Sequence, residues 1–169
     1  MLLKNLENSI SGYFYKRKSY YFDKKDQLKS NFFSDLFQKI KFNSAKYDKR
    51  FFKLDINSFM FSYAKDEESL QKKPHYSTML RNLVSVKRNI VSMPYEDKEG
   101  KIQFNEVNIL DTTLDVDRGP KEDCQNVFEL KVIDRMFTLY THDNILMEKF
   151  VLYIEKILEL KEQIQHRQR

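Results

Sequence analysis

The hydrophobic positions change their spacing near the end of the chain, from alternation to repeats of three and four. This late stripe predicts one face of a helix and consists of Leu146, Phe150, Ile154, Ile157 and Leu158. Residues 141–144 (Thr-His-Asp-Asn) supply several side-chain oxygens that suit an N-cap. The spacing therefore predicts a helix from Asn144 to about Gln165, roughly 33 Å long at 1.5 Å per residue.

Short alternating runs rich in aromatic and β-branched residues precede the helix, and they predict strands. Residues 126–132 and 136–140 are separated by a short polar turn and predict a hairpin that leads into the helix. Residues 50–54 and 59–63 predict a second hairpin, in which Phe52 and Leu54 face the core together. Residues 12–17 predict another strand. In the middle, residues 76–90 and 101–116 are alternative sources of strands, and we expect both to contribute.

A series of strands followed by one terminal helix predicts an antiparallel barrel whose open end the helix covers. The chain has 169 residues, of which 41% are hydrophobic, including 14 Phe and 10 Tyr but no Trp. This content predicts a single domain with an aromatic core. With only three Gly and three Pro, the chain offers no flexible or proline-rich linker to a second domain.

The formal net charge of +5 favours an acidic partner, although 25 Asp and Glu residues keep the surface mixed. The single cysteine, Cys124, forms no internal disulfide and favours a reducing compartment. Leu2 excludes an N-myristoylation signal, and no apolar run approaches the roughly 20 residues of a membrane span. We expect a cytoplasmic protein without a transmembrane segment.

Several motifs occur in the order that is found in pleckstrin homology (PH) domains. Gly12, Phe14 and Lys16 are similar to the Gly-x-apolar-x-Lys pattern of that family's first strand. Residues 47–54 resemble its second strand, with a basic-aromatic-aromatic run, and residues 63–69 resemble its tyrosine-lysine-acidic turn. Residues 127–158 resemble the closing hairpin and helix, with Phe150 where the family carries a tryptophan that plugs the barrel.

The resemblance implies a mainly β fold with one C-terminal helix: a PH-like, seven-stranded antiparallel barrel or sandwich capped by that helix. It places the domain at residues 11–160, after an N-terminal extension at 1–10 and before a helix extension at 161–169. Long insertions are expected at about 19–46, between the first two strands, and within 72–125. We expect Phe150 to contact the terminal hairpins through residues such as Phe52 and Phe128.

The resemblance also implies a candidate anion site, because phosphoinositide-binding members clamp headgroup phosphates with a late lysine of strand one and a basic-x-Arg motif of strand two. The candidate residues here are Lys16, Arg17, Lys18, Lys49 and Arg50. Asp48 departs from the motif, because the position two before Arg50 is basic in those members. The other interpretation of this set is a solvated basic edge that discourages pairing between sheets.

The first insertion contains a second candidate site, a helical stripe within residues 30–42. Its members are Phe32, Phe33, Leu36, Phe37 and Ile40. This stripe predicts a helix that docks on a protein partner or dips into a membrane, and the alternative is a helix packed on its own barrel. An acidic stretch containing Asp111, Asp115, Asp117, Glu122 and Asp123 lacks the spacing of a calcium loop and is interpreted as a solvated loop.

No motif for catalysis, metal binding or a cofactor occurs, because His75, His142 and His166 are scattered and the glycines are isolated. We therefore expect a non-catalytic binding module that acts as a protein-interaction, adaptor or structural subunit of a larger assembly. Richness in Lys, Asn, Ile, Phe and Tyr suggests an AT-biased, single-celled eukaryote, which brings a cytoskeletal or ciliary assembly into consideration. The alternative is recruitment to membranes through phosphoinositide or another anionic phospholipid. No nucleic-acid partner is expected, because no aromatic platform is interleaved with arginine.

Overall fold

The structure, a computed structural model, describes residues 7–18, 47–111, 113, 118–120, 124 and 126–168. In these residues the strands are β1 (Ser9–Arg17), β2 (Tyr47–Asp55), β3 (Met60–Ala64), β4 (Tyr76–Met79), β5 (Leu83–Arg88), β6 (Ile90–Glu96), β7 (Ile102–Asn108), β8 (Asn126–Val132) and β9 (Met136–Thr141). The helices are α1 (Glu67–Lys72) and α2 (Asn144–Arg167), and a 3-10 turn covers Leu80–Asn82.

Seven of these strands form one antiparallel sheet in the order β4-β3-β2-β1-β9-β8-β5, and β6 and β7 form a separate hairpin. The predicted mainly β fold with a C-terminal helix is confirmed. Both predicted hairpins are present, as β2–β3 and β8–β9. The two alternatives for the middle of the chain both contribute, since residues 76–90 supply β4 and β5 and residues 101–116 supply β7.

The core is aromatic and is centred on Phe14 of β1. Its ring lies edge-on to Phe52 of β2 at 5.9 Å, to Phe128 of β8 at 5.4 Å and to Phe150 of α2 at 4.8 Å between ring centroids. Phe150 is buried, as predicted, and belongs to the same core cluster as Phe52 and Phe128. Phe14 therefore joins the helix to both terminal hairpins.

Helix α2 starts as the sequence predicts, because the Asp143 carboxylate caps it by accepting a hydrogen bond from the Leu146 backbone N–H at 3.0 Å. It buries one face from Met147 to Ile157 and then continues to Arg167, slightly beyond the predicted end. The final turns carry no buried residue. These turns still lie beside the barrel, since the Lys161 ammonium donates a hydrogen bond to the Leu83 carbonyl at 3.0 Å.

Strand β6 was not predicted, and it contains Pro94, a residue that is unusual in a strand interior. It is tolerated here because the only strand that β6 pairs with in the described chain is β7. The β6–β7 hairpin contributes to a second apolar cluster with Cys124, Val127 and Tyr140. Its backbone is also held by Glu129 of β8, whose carboxylate accepts hydrogen bonds from the Ser92 N–H and hydroxyl, both at 2.8 Å. Burial raises the pKa of Glu129, while the two bonds from Ser92 act against that rise.

The predicted docking stripe of Phe32, Phe33, Leu36, Phe37 and Ile40 lies outside the described residues, as do four members of the acidic stretch. Asp111 lies within them, and its carboxylate accepts hydrogen bonds from the backbone and hydroxyl of Thr113, which lower its pKa. No helix in the described ranges combines the length and apolarity needed to cross a membrane. The same ranges contain no group of three or more His, Cys, Asp or Glu side chains placed to hold a metal ion.

Candidate functional site

One end of the barrel gathers charged and aromatic side chains from four parts of the chain. It is the end at which β1 finishes and β2 begins, and we call it the mouth. Strand β1 brings Lys16, β2 brings Asp48 and Arg50, and the β3–β4 pair brings Tyr63 and Tyr76. The β8–β9 turn adds Arg135. The side chains from β1 and β2 lie on the same face because the register pairs Lys16 with Asp48 and Phe14 with Arg50.

Lys16 is the most deeply placed cation of the mouth, with only 6% of its surface exposed. Its ammonium lies 5.7 Å from the centroid of the Tyr63 ring and donates a hydrogen bond to the Arg17 carbonyl at 3.5 Å. Burial lowers the pKa of Lys16 from 10.5 to about 8. Asp48 opposes this shift, whereas the positive charges of Arg50 and Arg135 add to it. The mouth thus holds a desolvated cation that the surrounding charges compensate only in part.

Arg50 points into the same mouth and already has an anionic neighbour there. Its Nη2 atom lies 3.7 Å from Oδ2 of Asp48, two positions earlier on the same face of β2. Arg50 also donates to the Lys49 carbonyl at 3.0 Å. The carboxylate of Asp48 therefore partly compensates the charge of Arg50.

Tyr76 and Arg135 belong to the mouth but were not among the residues proposed from sequence. The guanidinium carbon of Arg135 lies 4.1 Å from the centroid of the Tyr76 ring, within cation–π distance. The Tyr76 hydroxyl donates to Asp134 at 2.9 Å, and burial together with this bond raises the pKa of Tyr76 to about 12. No local pattern pointed to either residue, since β4 and the β8–β9 turn meet only in the folded chain.

The remaining candidates from sequence do not line the mouth. Arg17 and Lys49 occupy the opposite face of the β1–β2 pair, as the two-residue period of a strand requires. Arg17 is buried beneath β6, where it donates to the Ser92 carbonyl at 3.4 Å. The Lys49 ammonium lies over the ring of Tyr13, 5.2 Å from its centroid. Lys18 is exposed beyond the end of β1.

The architecture itself matches what the motifs implied. Four strands, β1 to β4, and the β5-β8-β9 group make up the sheet, and α2 packs its buried face against the core between them. The β6–β7 hairpin lies between β5 and β8 along the chain, within the second expected insertion. This arrangement of strands and helix resembles that of a PH domain.

No family model matches the sequence, and no curated protein matches it. Among solved structures, the PH domain of oxysterol binding protein-related protein 11 from human is similar over 95% of this chain and 88% of that domain. The sequence identity is 14% and the TM-score is 0.49.

Proposed function

We propose that this PH-like domain is a non-catalytic binding module whose main partner is a protein, as an adaptor or structural subunit of a larger assembly. A cytoskeletal or ciliary assembly is the setting that we favour. The proposal concerns recognition and not chemistry, because the mouth brings together no nucleophile paired with a base. Its ionisable groups can attract, repel or orient a binding partner.

The observation that carries the proposal is the carboxylate of Asp48 inside the mouth, 3.7 Å from Arg50. A phosphate that approaches Arg50 has to displace this carboxylate or accept its repulsion at short range. Like-charge contact of this kind lowers the affinity for phosphate and leaves little selectivity among headgroups. A mouth arranged in this way is poorly suited to reading phosphoinositides.

The docking surfaces that we propose are one described segment and one segment predicted from sequence. Helix α2 continues for several turns past its last buried residue, Ile157. The stripe within residues 30–42 stays a prediction, and we include it in the proposal as a second docking segment. Both provide apolar positions of the type that protein partners cover.

The experiment is purification of the tagged, intact chain from its native source, before and after detergent. We expect protein partners in constant ratio to the chain, and we expect them to remain after detergent has dissolved the lipid. A double variant of the mouth, Lys16→Ala with Arg50→Ala, should keep the same partners, since the mouth is not the surface that binds them. Recovery of the chain alone after detergent, together with loss of membrane association in Arg50→Ala, would contradict the proposal.

One observation favours a second candidate function, the binding of an anionic phospholipid. Lys16, Arg50 and Arg135 bring three positive charges to one mouth, and the low pKa of Lys16 reports an unfavourable, partly compensated charge. Burial is the main cause of this low pKa, and the charges of Arg50 and Arg135 add to it. An anion in the mouth would offset those two charges. This function requires Asp48 to turn away from Arg50.

A further inference from the structure

The last turns of α2 form an apolar groove with two turns of the barrel, at the opposite ends of β2 and β3 from the mouth. We call it the helix-end groove. Its volume is about 290 Å³, and it runs between α2, the β2–β3 turn and the 3-10 turn. Its apolar lining consists of Ile56, Phe59, Leu80, Ile157, Leu160 and Ile164, and its polar lining consists of Arg81, Lys161 and Gln165. Ile164 is 53% exposed and Phe59 is 44% exposed, so the groove is open to solvent.

Phe59 adds an independent sign that this groove has a function. Its φ angle is +59°, in the left-handed region that non-glycine residues with bulky side chains rarely adopt. The conformation is fixed by two backbone hydrogen bonds: Phe59 N–H donates to Ile56 at 3.2 Å, and the Phe59 carbonyl accepts from Leu80 N–H at 3.0 Å. A strained backbone that presents an aromatic ring to water lowers the stability of the isolated domain. Such outliers are concentrated at functional sites.

The charges around the groove indicate the chemistry of its partner. Arg81 is exposed and forms no ion pair with any residue in the described ranges. Lys161 donates to the Leu83 carbonyl at 3.0 Å and has further N–H donors. No carboxylate lines the groove, and α2 ends with His166 and Arg167. This positive border disfavours a second copy of the chain and favours an acidic partner.

We propose that the helix-end groove docks an amphipathic helix of an acidic protein. Its apolar residues would pack between Phe59 and Ile164, and its carboxylates would pair with Arg81 and Lys161. The apolar stripe on α2 from Ile157 to Ile164 covers about two turns, roughly 10 Å, which matches anchors spaced i, i+4 and i+7. The inference rests on the proposed protein-binding function and names the surface and the class of partner.

The test uses a fluorescein-labelled peptide of about four helical turns, made of Leu, Ala and Glu, with the Leu residues on one face. Fluorescence anisotropy of this peptide is measured against the intact chain. We expect saturable binding, and we expect none for the same peptide with every Glu replaced by Lys. Ile164→Glu and Phe59→Asn should each weaken binding by about tenfold or more.

The controls separate binding from folding and from the mouth. Leu152→Glu changes a residue of the same helix that is 51% exposed and does not line the groove, so it should leave the affinity unchanged. Phe59→Asn should not lower the thermal unfolding temperature, because Asn tolerates the left-handed conformation better than Phe. Arg50→Ala should bind the peptide as the unmodified chain does.

Three results of the peptide titrations would overturn the inference. They are the absence of saturable binding, equal binding of the Lys-substituted peptide, and tighter binding of dodecanoate that displaces the acidic peptide, which would assign the groove to an anionic amphiphile. If protein partners are recovered from the native source but the Ile164→Glu variant retains them all, the groove inference fails while the proposed function stands. If no partners are recovered and the peptide still binds through Phe59, the failure lies with the proposed function alone.

Discussion

Replacing Phe150 with alanine should lower the free energy of unfolding by about 3–5 kcal/mol, the usual cost of truncating a buried Phe. The side chain is 1% exposed, and its ring meets Phe14 edge-on at 4.8 Å. Because Phe14 also contacts Phe52 and Phe128, the cavity would open where the helix meets both terminal hairpins. Urea unfolding monitored by circular dichroism gives the change directly.

The control for this experiment is Leu152→Ala on the same helix. Leu152 is 51% exposed, so its truncation should change the free energy of unfolding by no more than about 0.5 kcal/mol. A loss below about 1 kcal/mol for Phe150→Ala would show that the helix does not seal the core.

Replacing Lys16 with methionine should raise the free energy of unfolding at pH 7 by about 2 kcal/mol. A pKa lowered from 10.5 to about 8 corresponds to roughly 3 kcal/mol against the charged form in the folded state. Methionine has a similar length and no charge, so the replacement removes this cost. The expected gain in the free energy of unfolding is smaller than the full cost because Asp48 then loses a positive neighbour. Lys18→Met, at an exposed position, should change stability by no more than about 0.5 kcal/mol.

The pH dependence of this difference has a definite sign. The folded pKa of Lys16 is lowered, so the folded chain binds fewer protons than the unfolded chain between pH 8 and pH 10.5. The destabilisation by the charged Lys16 ammonium is therefore fully present below about pH 8 and disappears as the pH rises through 10.5. The advantage of Lys16→Met should shrink over that window. A variant that is less stable than the unmodified chain at pH 7 would show that the Lys16 charge stabilises the fold.

Those parts of the fold that depend on local pattern were predictable from the sequence. Alternation located β8 and β9, the spacing of apolar residues located α2, and the side-chain oxygens of residues 141–144 located its first turn. Among them, Asp143 is the cap. β6 was missed, and it contains Pro94, a residue that is unusual in a strand interior. A strand with a single partner tolerates it, and the sequence does not say how many partners a strand has.

The candidate site was predictable only where strand parity decided it. Parity placed Lys16, Asp48 and Arg50 on one face, and the same rule places Arg17 and Lys49 on the other. The contribution of Arg135 depends on contact with Tyr76, a long-range pairing that no local pattern encodes. The left-handed conformation of Phe59 was also not predictable, because such turn positions usually carry Gly, Asn or Asp.

The central claim is that Asp48 makes the mouth unsuitable for phosphate, and calorimetric titration with a soluble inositol trisphosphate tests it most directly. For the unmodified chain we expect a Kd no tighter than about a millimolar. Asp48→Asn keeps the size of the side chain, removes its charge and should tighten binding by about tenfold, or about 1.4 kcal/mol. Micromolar binding by the unmodified chain that is lost in Arg50→Ala and unchanged in Asp48→Asn would contradict the account and make the domain a reader of phosphoinositides.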